Sequence, residues 1–257
     1  MTTIKERYAS VQQRIAAAAL RSNRKPEEVH LVAVTKHASM DEVRQLLELG
    51  QTDFGESQSQ HFVQLAAQAK EHIDRRRDIG ELKEIEPVRW HFIGHLQRNK
   101  CRKVLPLARL VHSLDSLRLA EEIQESAQHQ NLIVEVLVQV NVSGERSKTG
   151  VAPAALSHIL DQVDTMPNIV PRGLMCMAPL CEDQEDTRPV FRRCSELFEE
   201  TRLSSRDTSK FNILSMGMSG DFEVAIECGA NIVRVGTALF SDETTPSKNP
   251  TTEVAKS

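Results

Sequence analysis

Aromatic residues are scarce: the 257-residue chain holds eight phenylalanines, one tryptophan and one tyrosine, Tyr8. A phenol hydroxyl is therefore available at a single position, near the N-terminus. The five cysteines (Cys101, Cys176, Cys181, Cys194, Cys228) are odd in number and form no Cys-x-x-Cys pair. That argues against a disulfide framework or a zinc knuckle and suits a reducing, cytoplasmic setting. No apolar run reaches the roughly 18 residues that a membrane span needs. The opening "MTTIKERYAS" carries charges where a signal peptide needs an apolar core. A net charge of −4 and a pI near 6.2 remove the electrostatic case for nucleic acid or an anionic membrane.

What is present is alternation. Eight short apolar runs recur: "HLVAVT" (30–35), "TDFGE" (52–56), "VRWHFIG" (88–94), "RLVHSL" (109–114), "IVEVLVQVN" (133–141), "IVPRGLMCM" (169–177), "FNILSMG" (211–217) and "NIVRVGTALF" (231–240). Helical spacing appears before the first, in residues 4–20, and between several others. "MDEVRQLLELG" stops at Gly50, and "SLRLAEEIQESAQHQ" opens on a capping residue, Ser116. Near-continuous apolar strands alternating with amphipathic helices predict an α/β protein with a parallel sheet. Eight units in this length point to one closed (β/α)₈ TIM barrel over residues 1–240. An open doubly wound sheet is the alternative, but its glycine-rich fingerprint is missing after the first strand. The charge-dense stretch 71–86 reads as an exposed helix or loop. The polar tail 241–257 reads as disordered.

A parallel barrel gathers its chemistry at the C-terminal ends of its strands. Lys36 ends the first strand and shares the parity of Val32 and Val34. If that face is the interior, its amine sits in apolar surroundings, where the neutral form able to attack an aldehyde is favoured. Alternatively, Lys36 leaves the barrel mouth for water or pairs with Glu56. The turns after strands 7 and 8, "SMGMS" and "GT", have the small and hydroxylated residues of a phosphate site. Ser219 could equally cap the following helix, whose first turn already holds Asp221 and Glu223. Arg234 shares a face with Gly236. It needs a buried carboxylate or a ligand atom, such as a ring nitrogen, as partner. "GERSKTG" lacks the glycine of a phosphate-binding loop before Lys148. His91 and His95 flank a strand end, so no metal site is expected.

Together, "VAVTK", "FGES", "WHFIGHLQRNK", "VHSLDS", "VNVSGERSKTGV", "GLMCMAP" and "LSMGMSGDFEVAIECGANIVRVGTALF" resemble the pyridoxal phosphate homeostasis protein family, from about residue 5 to 240. The resemblance implies a single barrel like the N-terminal domain of alanine racemase, fold type III among proteins of this cofactor. It implies pyridoxal 5′-phosphate (PLP) held as a Schiff base on Lys36. The phosphate grip falls on Ser215, Met218, Ser219, Gly236 and Thr237, and the ring-nitrogen arginine on Arg234. Further cofactor contacts fall on Ser57, His91 and Met175. Ser57 stands where the family usually has asparagine, and Ser241 where it usually has glycine.

The implied role is PLP buffering or delivery within the cell, affecting amino-acid and keto-acid balance. The implied partners are PLP-dependent apo-enzymes or PLP-producing enzymes, with the chain a monomer or weak dimer. An amino-acid racemase of the alanine racemase type is the alternative. A racemase needs acid/base groups on both faces of the ring. The one tyrosine lies in the N-terminal helix, and only a polar tail follows Phe240, which favours a carrier. His91, Cys176 or His112 are the candidates for a substitute base. A Schiff-base aldolase acting on a phosphorylated sugar is a third possibility.

Overall fold

The computed structural model describes residues 2–36, 38–79, 87–145, 148–204 and 207–241. Eight parallel strands close on themselves in chain order, the last pairing with the first. They are β1 (His30–Val34), β2 (Asp53–Glu56), β3 (Arg89–Phe92), β4 (Ala108–Leu114), β5 (Val134–Gln139), β6 (Ile169–Met175), β7 (Ile213–Ser215) and β8 (Ile232–Val235). Helix α1 (Ile4–Arg21) precedes β1. One helix then follows each strand: α2 (Met40–Glu48), α3 (Ser59–Asp78), α4 (Cys101–Val104), α5 (Leu117–His129), α6 (Leu156–Val163), α7 (Arg188–Ser204), α8 (Phe222–Glu227) and α9 (Thr237–Phe240).

Strand alternation divides the apolar residues between two cores. Leu31 and Ala33 face the helices and join the larger one, with Phe54, Trp90, Phe92 and Val111. Val32, Leu110, Leu137, Met175 and Ile232 point the other way and form a small cluster inside the barrel. The same parity places His91, His112, Ser215 and Arg234 in that interior, all buried. Alternation is what lets one strand serve both cores. Between sheet and helices, Phe62 of α3 meets Phe92 edge-on at 5.5 Å and Trp90 at 6.0 Å.

Local signals fix the helix starts. Thr3 with Glu6, and Ser39 with Glu42, form reciprocal capping boxes on α1 and α2. Ser116 accepts from the Leu119 amide and caps α5, as its position predicts.

Two features differ from the sequence reading. The stretch after Gly236 is helical: Leu239 turns inward from α9 instead of extending β8. The segment 71–78 is helical, one of the two forms expected for it: it is the end of α3, a helix that begins at Ser59 and buries Phe62, Leu65, Ala66 and Ala69. Charged residues on its outer face mask that stripe in the sequence. The helix expected from about Gly220 starts at Phe222. Residues 80–86 of the charge-dense stretch, and the tail from 242, lie outside the described residues. Among the described residues no helix is long and apolar enough to cross a membrane.

Phe62→Ala should lower the unfolding free energy by about 3–5 kcal/mol in urea titrations. Leu180→Ala, at a position 97% exposed, should stay within about 0.5 kcal/mol of wild type.

Candidate functional site

The C-terminal rim begins where β1 pairing ends. Val34 pairs with Gly55, and the Thr35 amide still donates to the Gly55 carbonyl at 2.8 Å. Lys36 then enters a turn toward the Ser39 cap, and its side chain is exposed. Of the readings open for Lys36, the exposed side chain agrees with the one in which it leaves the barrel mouth for water. The ladder stops too early to carry Lys36 into the interior. Among the described residues it forms no ion pair with Glu56. The fully buried Glu56 accepts from Thr35 Oγ1 (3.1 Å), the Ser57 amide (2.6 Å) and the Gln58 amide (2.9 Å), and it contacts His61 Nδ1 (2.7 Å). It ties the turn that holds Lys36 to the turn after β2. Among the described residues no hydrogen bond or ion pair engages the Lys36 ammonium group.

Gly236 lies on the same rim. A side-chain carbon added there would lie 3.2 Å from both Val34 Cβ and the Val34 carbonyl, so the turn after β8 rests against the end of β1. Lys36 is two residues beyond that contact. Across β7 and β8 the Arg234 amide donates to Gly217 at 3.0 Å. Gly217 has φ +93°, and a side-chain carbon there would come within 2.6 Å of Ala225. Glycine is required for this turn to pack on α8.

The two turns converge. The amides of Gly236 and Ala238 both donate to Ser219 Oγ, at 3.1 and 3.3 Å. Ser219 is therefore not the helix cap; it occupies an oxygen position at which two amides meet. The Met218 amide donates to Asp221 at 2.6 Å. Burial pushes the Asp221 carboxyl up, against the Met218 hydrogen bond and the Arg234 charge. Thr237 is exposed at the start of α9. A cavity of about 720 Å³ reaches these turns from the α1 side, with Arg7, Arg14, Ser219 and Thr237 among its walls; Lys36 does not line it.

Arg234 is buried below the rim. Its Nη1 donates to Ser215 Oγ at 2.7 Å and its Nη2 to the Cys176 carbonyl at 3.0 Å. A guanidinium has five N–H donors. Among the described residues the others have no protein acceptor, and no carboxylate lies within ion-pair distance. Burial lowers the Arg234 pKa, while Cys176 and Asp221 oppose that shift. Met175, in register with Ser215, is buried in the interior cluster.

His91 lies deeper than a rim position. Its Nδ1 meets His112 Nε2 at 2.9 Å and its Nε2 meets Asp53 at 2.9 Å, so both nitrogens are engaged within the protein. His91 and His95 diverge, because His95 turns to Asp115 at 3.0 Å on the exposed rim. Ser57 directs its amide and its hydroxyl to Glu56. Cys176 packs in the outer core with Cys194, so it does not present a base to the mouth. Tyr8 accepts from Gln12 and donates to Gln51, the residue two before β2, at the opposite end of the barrel. Sequence reasoning missed Asp53, and it named His112 only as a candidate base, not as a partner of His91. Their shared inward parity with His91 on adjacent strands was the available signal.

The alanine racemase N-terminal domain family matches residues 9–244. The pyridoxal phosphate homeostasis protein of Aquifex aeolicus (strain VF5) is 37% identical over 241 residues, covering 92% of this chain and 97% of its own length. The structure of PipY from Synechococcus elongatus with PLP bound superposes with a TM-score of 0.71 at 32% identity. It covers 93% of this chain and 100% of that one. Alanine racemase of Clostridium difficile 630 superposes at 0.63 with 16% identity, over 91% of this chain and 56% of that one, which shows a shared barrel.

Glu56→Ala should cost about 3 kcal/mol in chemical denaturation, because two amides and a hydroxyl lose their acceptor. Asp53 supplies a pH prediction. Burial alone would raise its carboxyl, but hydrogen bonds from His91 and Arg89 outweigh burial and hold it well below the usual carboxylate range. The folded value is depressed, so this stabilisation is complete above the unfolded value of about 3.9 and declines as pH falls below it. Asp53→Asn should flatten the acid limb of a stability–pH curve below about pH 4.

Proposed function

We propose that this chain, which belongs to the pyridoxal phosphate homeostasis protein family, binds PLP at the C-terminal rim of its barrel and holds it for delivery. The observation that carries this reading is a shared rim. The uncommitted Lys36 amine stands two residues past the Val34 contact with Gly236, beside the turn whose amides converge on one oxygen position.

The residues present fit the cofactor. PLP brings an aldehyde, an anionic phosphate and a ring that withdraws electrons. Lys36 is the free amine suited to covalent attachment. The hydroxyls of Ser219 and Thr237 suit a phosphate, and the amides of Gly236 and Ala238, which now donate to Ser219 Oγ, would meet an anion that displaced that hydroxyl. Ser215 and Met218 border the same turns. The spare donors of Arg234 suit a ring nitrogen. A guanidinium keeps its proton at any working pH, so a nitrogen facing it stays unprotonated and the ring is a weaker electron sink. Met175, in register with Ser215, and Ser57, after β2, are further candidate contacts, and His91 would act from beneath, through His112 and Ser215.

A carrier is favoured over a racemase by what surrounds these groups. Lys36 is open to water, the single tyrosine is committed at the other end of the barrel, and Cys176 and His91 are spoken for by neighbours. Recipients in this reading are the apo forms of PLP-dependent enzymes.

Adding PLP to the purified chain should produce a visible absorption band, lost in Lys36→Ala. The Ser219→Ala/Thr237→Ala double variant should weaken binding by about 1–3 kcal/mol, or roughly 5- to 150-fold in Kd. Unchanged affinity in the double variant would refute the phosphate assignment. Rapid turnover of an amino acid, abolished in Lys36→Ala, would contradict the carrier role.

A further inference from the structure

Below the rim a hydrogen-bond chain crosses the barrel interior. Arg234 Nη1 reaches Ser215 Oγ (2.7 Å), which meets His112 Nδ1 (3.0 Å). His112 Nε2 meets His91 Nδ1 (2.9 Å), and His91 Nε2 meets Asp53 Oδ1 (2.9 Å). Arg89 closes the far end, with contacts of 2.8 and 2.6 Å to the two Asp53 oxygens. Five strands supply it: β2, β3, β4, β7 and β8.

The ends fix the direction. Arg234 can only donate and the Asp53 carboxylate can only accept. With neutral imidazoles, Ser215, His112 and His91 supply one hydrogen each for the three contacts between Ser215 and Asp53. One arrangement satisfies all three. His91 Nε2–H donates to Asp53, leaving His91 Nδ1 bare. His112 Nε2–H fills it, leaving His112 Nδ1 bare. The Ser215 hydroxyl fills that. Each donor points from the cofactor rim toward Asp53.

One added proton has a single low-cost destination. When it arrives at Ser215 Oγ, the serine passes its own hydrogen to His112 Nδ1. His112 passes its Nε2 hydrogen to His91 Nδ1. One O–H bond breaks and another forms on Ser215; His112 exchanges one N–H for another; His91 gains one. The charge ends as an imidazolium beside the Asp53 carboxylate. Ser215 Oγ then accepts from both Arg234 and His112, so its hydrogen must find a new acceptor.

We propose that this chain is a one-proton store beneath the cofactor site: a proton taken up at Ser215 settles on His91, inverts the His112 tautomer and releases the Ser215 hydroxyl from His112. The site assignment of Ser215 and Arg234 rests on the PLP reading above; the chain itself does not. The facing groups agree. Asp53 on β2 stays anionic, so it remains an acceptor. His112 on β4 is held neutral by burial and by the charges of His91 and Arg234, so the proton does not stop there. Arg89 on β3 is committed to Asp53, and Cys176, Cys194 and Asp221 face Arg234 at the other end. Asp53, His91 and His112 are positioning residues, acting on the site through Ser215.

Long-range ¹H–¹⁵N spectra of the imidazoles in the full, cofactor-free chain test this, with signals assigned through His91→Gln and His112→Gln. At alkaline pH both rings should be neutral with hydrogen on Nε2. On acidification His91 should become imidazolium while His112 stays neutral and moves its hydrogen to Nδ1, both with one midpoint. Asp53→Asn should abolish the transition. A His112 that keeps its Nε2 hydrogen while His91 titrates would overturn the proposal, as would protonation of His112 itself. So would a chain unchanged down to acid unfolding, or a transition that survives in Asp53→Asn. Saturation with PLP should displace the midpoint; an unmoved midpoint would disconnect the store from the site. Failure of PLP to bind, read separately by absorbance, would refute the functional reading and leave the tautomer result standing.

Discussion

A buried guanidinium with no carboxylate partner among the described residues constrains the whole interior of this barrel. Arg234 is 4% exposed and has two neutral acceptors, the Ser215 hydroxyl and the Cys176 carbonyl. Leaving such a cation unsatisfied in a low-dielectric core costs several kcal/mol. The need is met by geometry that only closure supplies. β6, β7 and β8 are adjacent in the sheet, so the residue after β6, the end of β7 and the middle of β8 converge on one point. Because Ser215 must accept from Arg234, its own hydrogen is turned toward His112, and the order of every hydrogen down to Asp53 follows. One charge near the rim thus organises side chains as far as the opposite end of the barrel.

The site divides its tasks by depth. The amine that can react stands in water on the rim. The groups that can meet an anion lie in the two turns beside it, where Ser219 of one turn accepts from the amides of the other. The cation that can face a ring lies below, enclosed and oriented. An exposed anchor with a buried electrostatic partner suits a protein that must both hold and give up a reactive aldehyde. Closed walls and a second acid/base group would suit turnover better. Glu56 joins the parts mechanically, because it binds the Thr35 turn before Lys36 and the start of the chain leading into α3.

Most of the fold was legible because its signal is local. Eight β-branched runs separated by amphipathic stretches specify strand and helix alternation without knowledge of any contact. Parity allowed Val32 and Arg234 inward faces, and both side chains are inside the barrel. Lys36 shows the limit of parity, which holds only while the ladder continues, and the ladder ends at Val34. "TALF" reads as strand by composition, yet the Gly236 turn makes it helical. The site was legible where it lies within one motif, as at the turns after β7 and β8. The polar chain was not. His91 and Asp53 are 38 residues apart and His112 and Ser215 103 apart, so only the closed barrel brings them together.

Lys36 is the proposed anchor of the cofactor. Borohydride reduction of the PLP-treated chain, followed by mass mapping of its peptides, measures this directly. One equivalent of stable label on the peptide containing Lys36 is the expected result. Label spread over other lysines, or absent while the phosphate turns still retain PLP, would contradict it.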